Sequence, residues 1–271
     1  MKELTLKEKQ EEGLKILKSV AEFCDENSIR YTLAYGTLLG AIRHNGFIPW
    51  DDDIDIFIPR EDYERFLKIF NDCDNFKLFH IGNTINYPYL YAKVANVKDT
   101  RKHAPFLNCK TTDRGVEIDV FPIDYLPNNR ISRFFYKLNC INNFICLDHS
   151  RYKGFMTGTT FNRIISEPYR IIASKKPVSY WTNKDNNLAV KYYKNGAFSN
   201  CSDYWLYSGS KNTIPVHAFS NLEKHQFEDS TFWIPSDYDY VLKKFYGNYM
   251  KLPPEKDREP KHSSEIIDWR D

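Results

Sequence analysis

The chain has 271 residues, 42% apolar and 16% aromatic, enough to bury a full core as one domain with an appendage or as two small domains. Lys and Arg number 38 against 36 Asp and Glu, which excludes a global field that would hold the protein on nucleic acid or an anionic bilayer, so anion binding must come from local patches. The charged start from Met1 to Glu12 lacks the apolar stretch of a signal peptide, no later segment approaches a membrane-spanning length, and six cysteines without a CxxC pair signal neither zinc nor disulfide staples; a soluble cytoplasmic protein with reduced thiols is expected.

Leu14, Leu17, Val20, Ala21 and Cys24 recur at helical spacing, predicting an amphipathic helix from Leu6 to about Cys24 that Asn27 and Ser28 stop. Tyr31 to Tyr35 reads as a short strand. Gly36 breaks it, and Thr37 is placed to cap a brief helix through Ala41 and Arg43 that ends near Asn45-Gly46. Asp51-Asp-Asp-Ile-Asp-Ile-Phe-Ile58 then alternates acids with apolar residues, as a strand does, until Pro59, and a helix from about Arg60 to Phe70 follows. Strands are expected at Phe76 to Ile81 and Tyr89 to Val97, then a polar loop, then an alternating strand from Gly115 to Phe121.

Beyond Pro127 the pattern predicts helices at roughly 130–147, 161–174 and 183–194, and a closing helix from Asp237 to Tyr246 with Gly247 as its stop. The polar, proline-rich end from Leu252 to Asp271 is expected to lie over the surface as a loop or tail. The fold class is therefore α+β: a mixed sheet flanked by helices over residues 1–127, and a mainly helical region over 128–271 packed on it.

Side chains alternate faces along a strand, so Asp51, Asp53 and Asp55 would point the same way about 7 Å apart. Carboxylates crowded beside Ile54 and Ile56 are costly unless a cation neutralises them, and oxygen ligands favour Mg²⁺ or Mn²⁺. The plain alternative is a solvated acidic loop after Trp50. An EF-hand is excluded, because its sixth position is Ile56 rather than glycine and its twelfth is Asp62. A DxD site of a metal-dependent sugar transferase fits Asp53-Ile-Asp55 equally well.

The preceding residues weigh against that rival. Gly36-Thr-Leu-Leu-Gly40 lies between strand and helix, where backbone N–H groups and the Thr37 hydroxyl can hold phosphate oxygens, although glycine in such a place is more often a plain turn. Joined to the acidic strand it becomes specific: one element grips phosphate while the next holds the metal that bridges it. Glu117 and Asp119, on one face of the later strand, can supply a third acid. Asp119 is favoured, as a further metal ligand or as the base for an acceptor hydroxyl. Arg43 and Lys93 are the nearest candidates to offset phosphate charge. His44 and His262 have no ligand partner at suitable spacing. The segment Arg130 to Lys137, with Arg133 and Lys137 beside bulky aromatics, suits either an anionic membrane surface or the commoner core-facing helix with snorkelling bases.

The run from Gly36 to Asp55, Gly-Thr-Leu-Leu-Gly-Ala-Ile-Arg-His-Asn-Gly-Phe-Ile-Pro-Trp-Asp-Asp-Asp-Ile-Asp, resembles the signature of the LicD family, which includes relatives of fukutin. Asp119-Val-Phe-Pro and Tyr246-Gly-Asn-Tyr-Met-Lys-Leu-Pro-Pro254 resemble the family's later motifs, with Asn248 where an acid is more usual, while residues 130–225 carry little of the likeness. The resemblance implies a nucleotidyltransferase-like fold and transfer of a substituted phosphate, typically phosphocholine from CDP-choline, to a sugar hydroxyl of a bacterial glycan or lipid-linked precursor. Asp53 and Asp55 fall where the family's metal-binding acids lie, with Asp51 and Asp119 as additional ligands. The later half would bind the acceptor, at the inner face of the membrane if the acceptor is lipid-linked. For a choline group, Tyr87, Tyr89, Tyr91, Trp205 and Trp233 are among the aromatic candidates.

Overall fold

The computed structural model describes residues 2–70, 72, 75–103, 114–151, 168–193, 200–203, 213–260 and 266–270, with the backbone alone for 192, 193 and 200–203. Expectations that fall on 161–167 or 194, or on Cys73, Cys109, Trp205 and His262, lie outside the described residues.

Helix α1 (Leu6–Glu26) begins where the sequence predicts, because Thr5 and Glu8 cap each other: the Thr5 hydroxyl accepts the Glu8 N–H, and the Glu8 carboxylate accepts the Thr5 N–H. Strand β1 (Thr32–Leu33) leads into α2 (Tyr35–His44), which ends at Asn45 in the left-handed conformation. Strand β2 (Asp55–Pro59) and helix α3 (Arg60–Ile69) follow, then β3 (Phe76–Phe79), β4 (Ala92–Asn96), β5 (Thr100–His103) and β6 (Glu117–Tyr125). Helices α4 (Arg130–Arg151) and α5 (Val178–Tyr193) flank a helical stretch at 168–174. Strands β7 (Asn200–Asp203), β8 (Thr213–Pro215), β9 (Leu222–Phe227) and β10 (Ser230–Pro235) precede α6 (Tyr238–Tyr246) and β11 (Ile266–Trp269).

The main sheet is mixed, in the order β1-β2-β6-β4-β3, with β7 and β8 extending it beside β6. Among the described strands only the β2 and β6 pair is parallel, and its register sets Asp55 opposite Asp119. The alternation read in these strands sorts two cores. Ile56, Ile58, Ile118 and Val120 face the large core under α1, whereas Phe57, Phe121 and Ile123 face a smaller one closed by Tyr35, Phe219 and Phe245.

Two expectations are corrected and a third is extended. The acidic strand starts at Asp55, not Asp51, because a turn, in which the Asp51 N–H donates to the Ile48 carbonyl, holds the preceding acids off the sheet. The second half holds strands as well as the expected helices: among the described residues four lie between 200 and 235, two of them in the main sheet and two in a hairpin packed on β1. The chain end is not simply a surface tail, since β11 pairs with β5, a strand within the expected polar loop, and Ile267 is buried.

Candidate active site at an acidic cavity

The chain leaves β1 and enters α2 through Tyr35, whose φ of 39° is a left-handed conformation rare outside glycine. Such a backbone costs about 1 kcal/mol or more and persists only where packing enforces it. Here the Tyr35 ring is wedged against Phe57, Phe121 and Phe245 at centroid distances of 4.9, 5.4 and 5.2 Å. The bend sets Gly36 against Asp51. A Cβ on Gly36 would lie 2.5 Å from Asp51 Oδ2, so the absence of a side chain is what admits this carboxylate. Thr37 is not the cap residue, which is Ala34. Its buried hydroxyl accepts the Asp55 N–H at 2.8 Å and so ties α2 to the start of β2.

These contacts open a cavity of about 520 Å³. Asp51, Asp53 and Asp55 line it together with Gly36 and Arg43, which makes five of the residues singled out from sequence. The rest of its wall includes Trp50, Tyr35, Tyr246, Asn248, Tyr249 and Lys251. The segment around Tyr246 to Pro253 is thus brought against the acids by α6, and Arg43 fastens it by donating from Nη1 to the Tyr249 carbonyl at 2.8 Å. Trp50 is flanked by the Arg258 guanidinium, 5.6 Å from its ring centroid.

Carboxylate oxygens of Asp51, Asp52 and Asp53 lie within 4.8 Å of one another. Asp55 behind them is buried, and that burial, followed by the charges of Asp53, Asp119 and Asp51, pushes its carboxyl well above the usual range, with Lys93 offsetting only part. Although Tyr246 is exposed as a residue, crowding around its hydroxyl in the cavity, and then Asp55, Asp51 and Asp53, push its phenol up. A concentration of negative charge this dense is an electrostatic cost that a hard cation would relieve.

Asp119 and Lys93 are not among the residues lining the cavity. Asp119 sits one strand behind Asp55, where burial raises its carboxyl and Lys93 works against that rise. Lys93 Nζ contacts Asp119 Oδ1 at 2.5 Å and Glu117 Oε1 at 3.0 Å, and lies over the Tyr89 ring at 4.7 Å. Glu117 belongs to a buried ion network: burial alone would raise its carboxyl, but Arg114, Lys102 and Lys93 hold it well below the usual range. Tyr87, Tyr89 and Tyr91 stack in a row ending on Phe121, and Trp233 donates to Asp25, so none of these lines the cavity. Besides Tyr35 and Arg43, the aromatic and basic residues that do are Trp50, Tyr246, Tyr249 and Lys251, and these four were not singled out from sequence as site residues. Their signal was present, since Trp50 adjoins the acids and the others fall in the Tyr246 to Pro254 motif.

Residues 28–139, which hold the bend, the acids and β6, match the family described as LicD/FKTN/FKRP, nucleotidyltransferase domain. The lipopolysaccharide cholinephosphotransferase LicD of Haemophilus influenzae is 32% identical over 98% of both chains. The chain belongs to the LicD family. Two uncharacterised rickettsial proteins share the likeness over shorter spans: one from Rickettsia typhi is 35% identical over 43% of this chain and 35% of its own length, and one from Rickettsia prowazekii is 38% identical over 28% and 27%. The full-length match to LicD takes in the cavity-lining segment from Tyr246 to Asp257, which lies outside the family match at 28–139.

Proposed function

We propose that this LicD-family protein is a metal-dependent phosphotransferase that moves phosphocholine, or a similar substituted phosphate, from a CDP-linked donor such as CDP-choline to a sugar hydroxyl of a cell-surface glycan precursor. The observation that carries the reading is the convergence on one cavity of Asp51, Asp53 and Asp55 with the aromatic residues Trp50, Tyr246 and Tyr249 and the bases Arg43 and Lys251. The activity for which the H. influenzae relative is named, matched over 98% of its length, supports it.

The donor set fits Mg²⁺, or Mn²⁺, because it is all oxygen and crowded: the Asp51, Asp52 and Asp53 oxygens lie within 4.8 Å of one another, and burial and like charge raise the Asp55 carboxyl behind them. Asp51, Asp53 and Asp55 would hold the ion, with Asp119, paired opposite Asp55 on the neighbouring strand, as an additional ligand. When bound, it would neutralise the donor's phosphate oxygens and the charge that develops on the leaving group. Arg43 and Lys251 add positive charge to the same wall. The aromatic residues suit a quaternary ammonium, which binds the electron-rich faces of rings. Asp119, held by Lys93 and opposite Asp55 in the sheet, serves either as a further metal ligand or as the base for an acceptor hydroxyl. In this reading Lys93 acts through Asp119.

The reaction forms a bond from the acceptor oxygen to the phosphorus that bears choline and breaks that phosphorus's link to CMP, which leaves. Purified protein with Mg²⁺, CDP-choline and candidate glycan acceptors is expected to release CMP and yield phosphocholine-modified glycan. Asp53→Ala and Asp55→Ala are each expected to abolish both. Other CDP-linked donors working in place of CDP-choline would change the cargo and keep the mechanism, whereas turnover of UDP-sugars would replace it with the DxD sugar-transferase reading.

A further inference from the structure

Five exposed large apolar side chains fall on α4. Ile131, Phe134, Phe135, Leu138 and Ile141 recur at the three- and four-residue spacing of one helix face and are 68, 63, 56, 43 and 39% exposed. The other face is the one that packs, through Tyr136, Cys140, Asn143 and Leu147, all buried. Helix α4 therefore carries two apolar faces. Alongside it the stretch 168–174 is held by the Tyr169 hydroxyl, which donates to Asn142 Oδ1 at 3.0 Å, and by Ala173 packed with Cys146 and Leu147. This stretch adds Ile171 and Ile172, each about half exposed. An apolar surface of this extent rarely stands on a soluble protein without an occupant.

Charge identifies the occupant. Over the proposed surface, residues 130–147 of α4 and 168–176, the sequence holds six Lys and Arg, with Arg130, Lys137, Lys175 and Lys176 among them, and the one acid on α4, Asp148, is paired with Arg151, although the whole chain is nearly balanced. Phe and Ile side chains rimmed by bases match a bilayer whose acyl region lies under anionic headgroups. A second copy of the same face would instead oppose like charges. We propose that the exposed face of α4 and the adjoining residues 170–176 dock this protein on an anionic lipid surface. Contact is peripheral, since no helix among the described residues is long and apolar enough to cross a membrane.

Flotation of the purified full chain with vesicles tests this without donor, acceptor or turnover, so its failure is separate from failure of the phosphotransferase reading. The protein is expected to float with vesicles containing phosphatidylglycerol and to float at least roughly tenfold less with pure phosphatidylcholine, with binding falling as salt rises. Phe134→Asp with Phe135→Asp should abolish flotation while the circular dichroism spectrum and melting temperature stay put, because both side chains are exposed. Arg130→Glu with Lys137→Glu should weaken it by about tenfold or more. The proposal is overturned by absence of flotation with anionic vesicles, by flotation that the Phe pair does not alter, or by a dimer in sedimentation that the same pair dissociates.

Discussion

The buried hydroxyl of Thr37 accepts the backbone N–H of Asp55 at 2.8 Å, joining the first turn of α2 to the first residue of β2. Two elements that the chemistry needs in register are thus connected by one side chain. Thr37→Val keeps the shape and leaves that N–H buried without its acceptor, a loss of about 1–3 kcal/mol. Thr37→Ser restores the oxygen and should recover most of it. Urea denaturation of the three proteins measures the difference, and equal stability of Val and wild type would remove this bond from the account.

Gly36 and Asp51 form a second coupled pair. A methyl group at Gly36 would overlap Asp51 Oδ2 at 2.5 Å, so Gly36→Ala must displace the carboxylate. If Asp51 holds a metal, Mg²⁺ affinity should fall by roughly tenfold or more, as it does when a ligand is poorly oriented. In an Asp51→Ala background the clash is gone and alanine is the better helix former by about 1 kcal/mol, so the same Gly36→Ala change should become neutral or stabilising. A double-mutant cycle followed by Mg²⁺ titration and denaturation reads both terms, and additive effects would show that the two residues do not interact.

Asp55 links stability to pH. Burial and the charges of Asp53, Asp119 and Asp51 raise its folded-state pKa, so the native protein binds this proton more tightly than the unfolded chain does. Without metal, stability should therefore rise as pH falls through the raised value. Mg²⁺ competes with the proton, so its stabilising effect should grow as pH rises. Asp55→Asn is expected to melt no lower than wild type in EDTA, to flatten that pH slope, and to lose transfer by at least about a hundredfold. An unchanged slope in the variant would mean that the charge repulsion resides elsewhere.

What was legible in the sequence follows from how local each signal is. The alternation that marked β2 and β6 reflects two cores on opposite faces, with Ile56 and Val120 in one and Phe57 and Phe121 in the other. The caps of α1 and the Asn45 and Gly247 stops are equally local. Asp51 and Asp53 were read as strand residues because a turn braced by the Gln10 amide, which donates to the Asp51 carbonyl, leaves no mark on the alternation. The meeting of Tyr246 and Tyr249 with the acids depends on where α6 packs, which no spacing within either segment encodes. Strands β7 and β11 escaped notice because they are short and are stabilised by β6 and β5, distant in the chain, whereas the β9 and β10 hairpin is local and its Phe232-Trp-Ile234 run went unread. The exposed face of α4 was undecidable beforehand, since both its faces are apolar.

An ion pair with no solvent access lies in the first half of the chain and is tied to the second by a further hydrogen bond. Arg60, at the start of α3, meets Asp124 of β6 through Nε to Oδ1 at 2.6 Å and Nη2 to Oδ2 at 2.8 Å, and its Nη1 reaches Glu64 and, on α5, Asn186 at 3.2 Å. Both side chains of the pair are buried completely. Removing one partner strands the other charge, so Arg60→Met or Asp124→Leu alone should cost about 3–5 kcal/mol. Combined, the two changes leave no orphan charge and should restore much of that loss. Because the network spans α3, β6 and α5, residues on both sides of position 127 are expected to unfold in one cooperative transition. Denaturation followed by tryptophan fluorescence and by far-ultraviolet circular dichroism checks this: two separated transitions in the wild-type protein, or a double variant no more stable than the worse single one, would overturn the coupling.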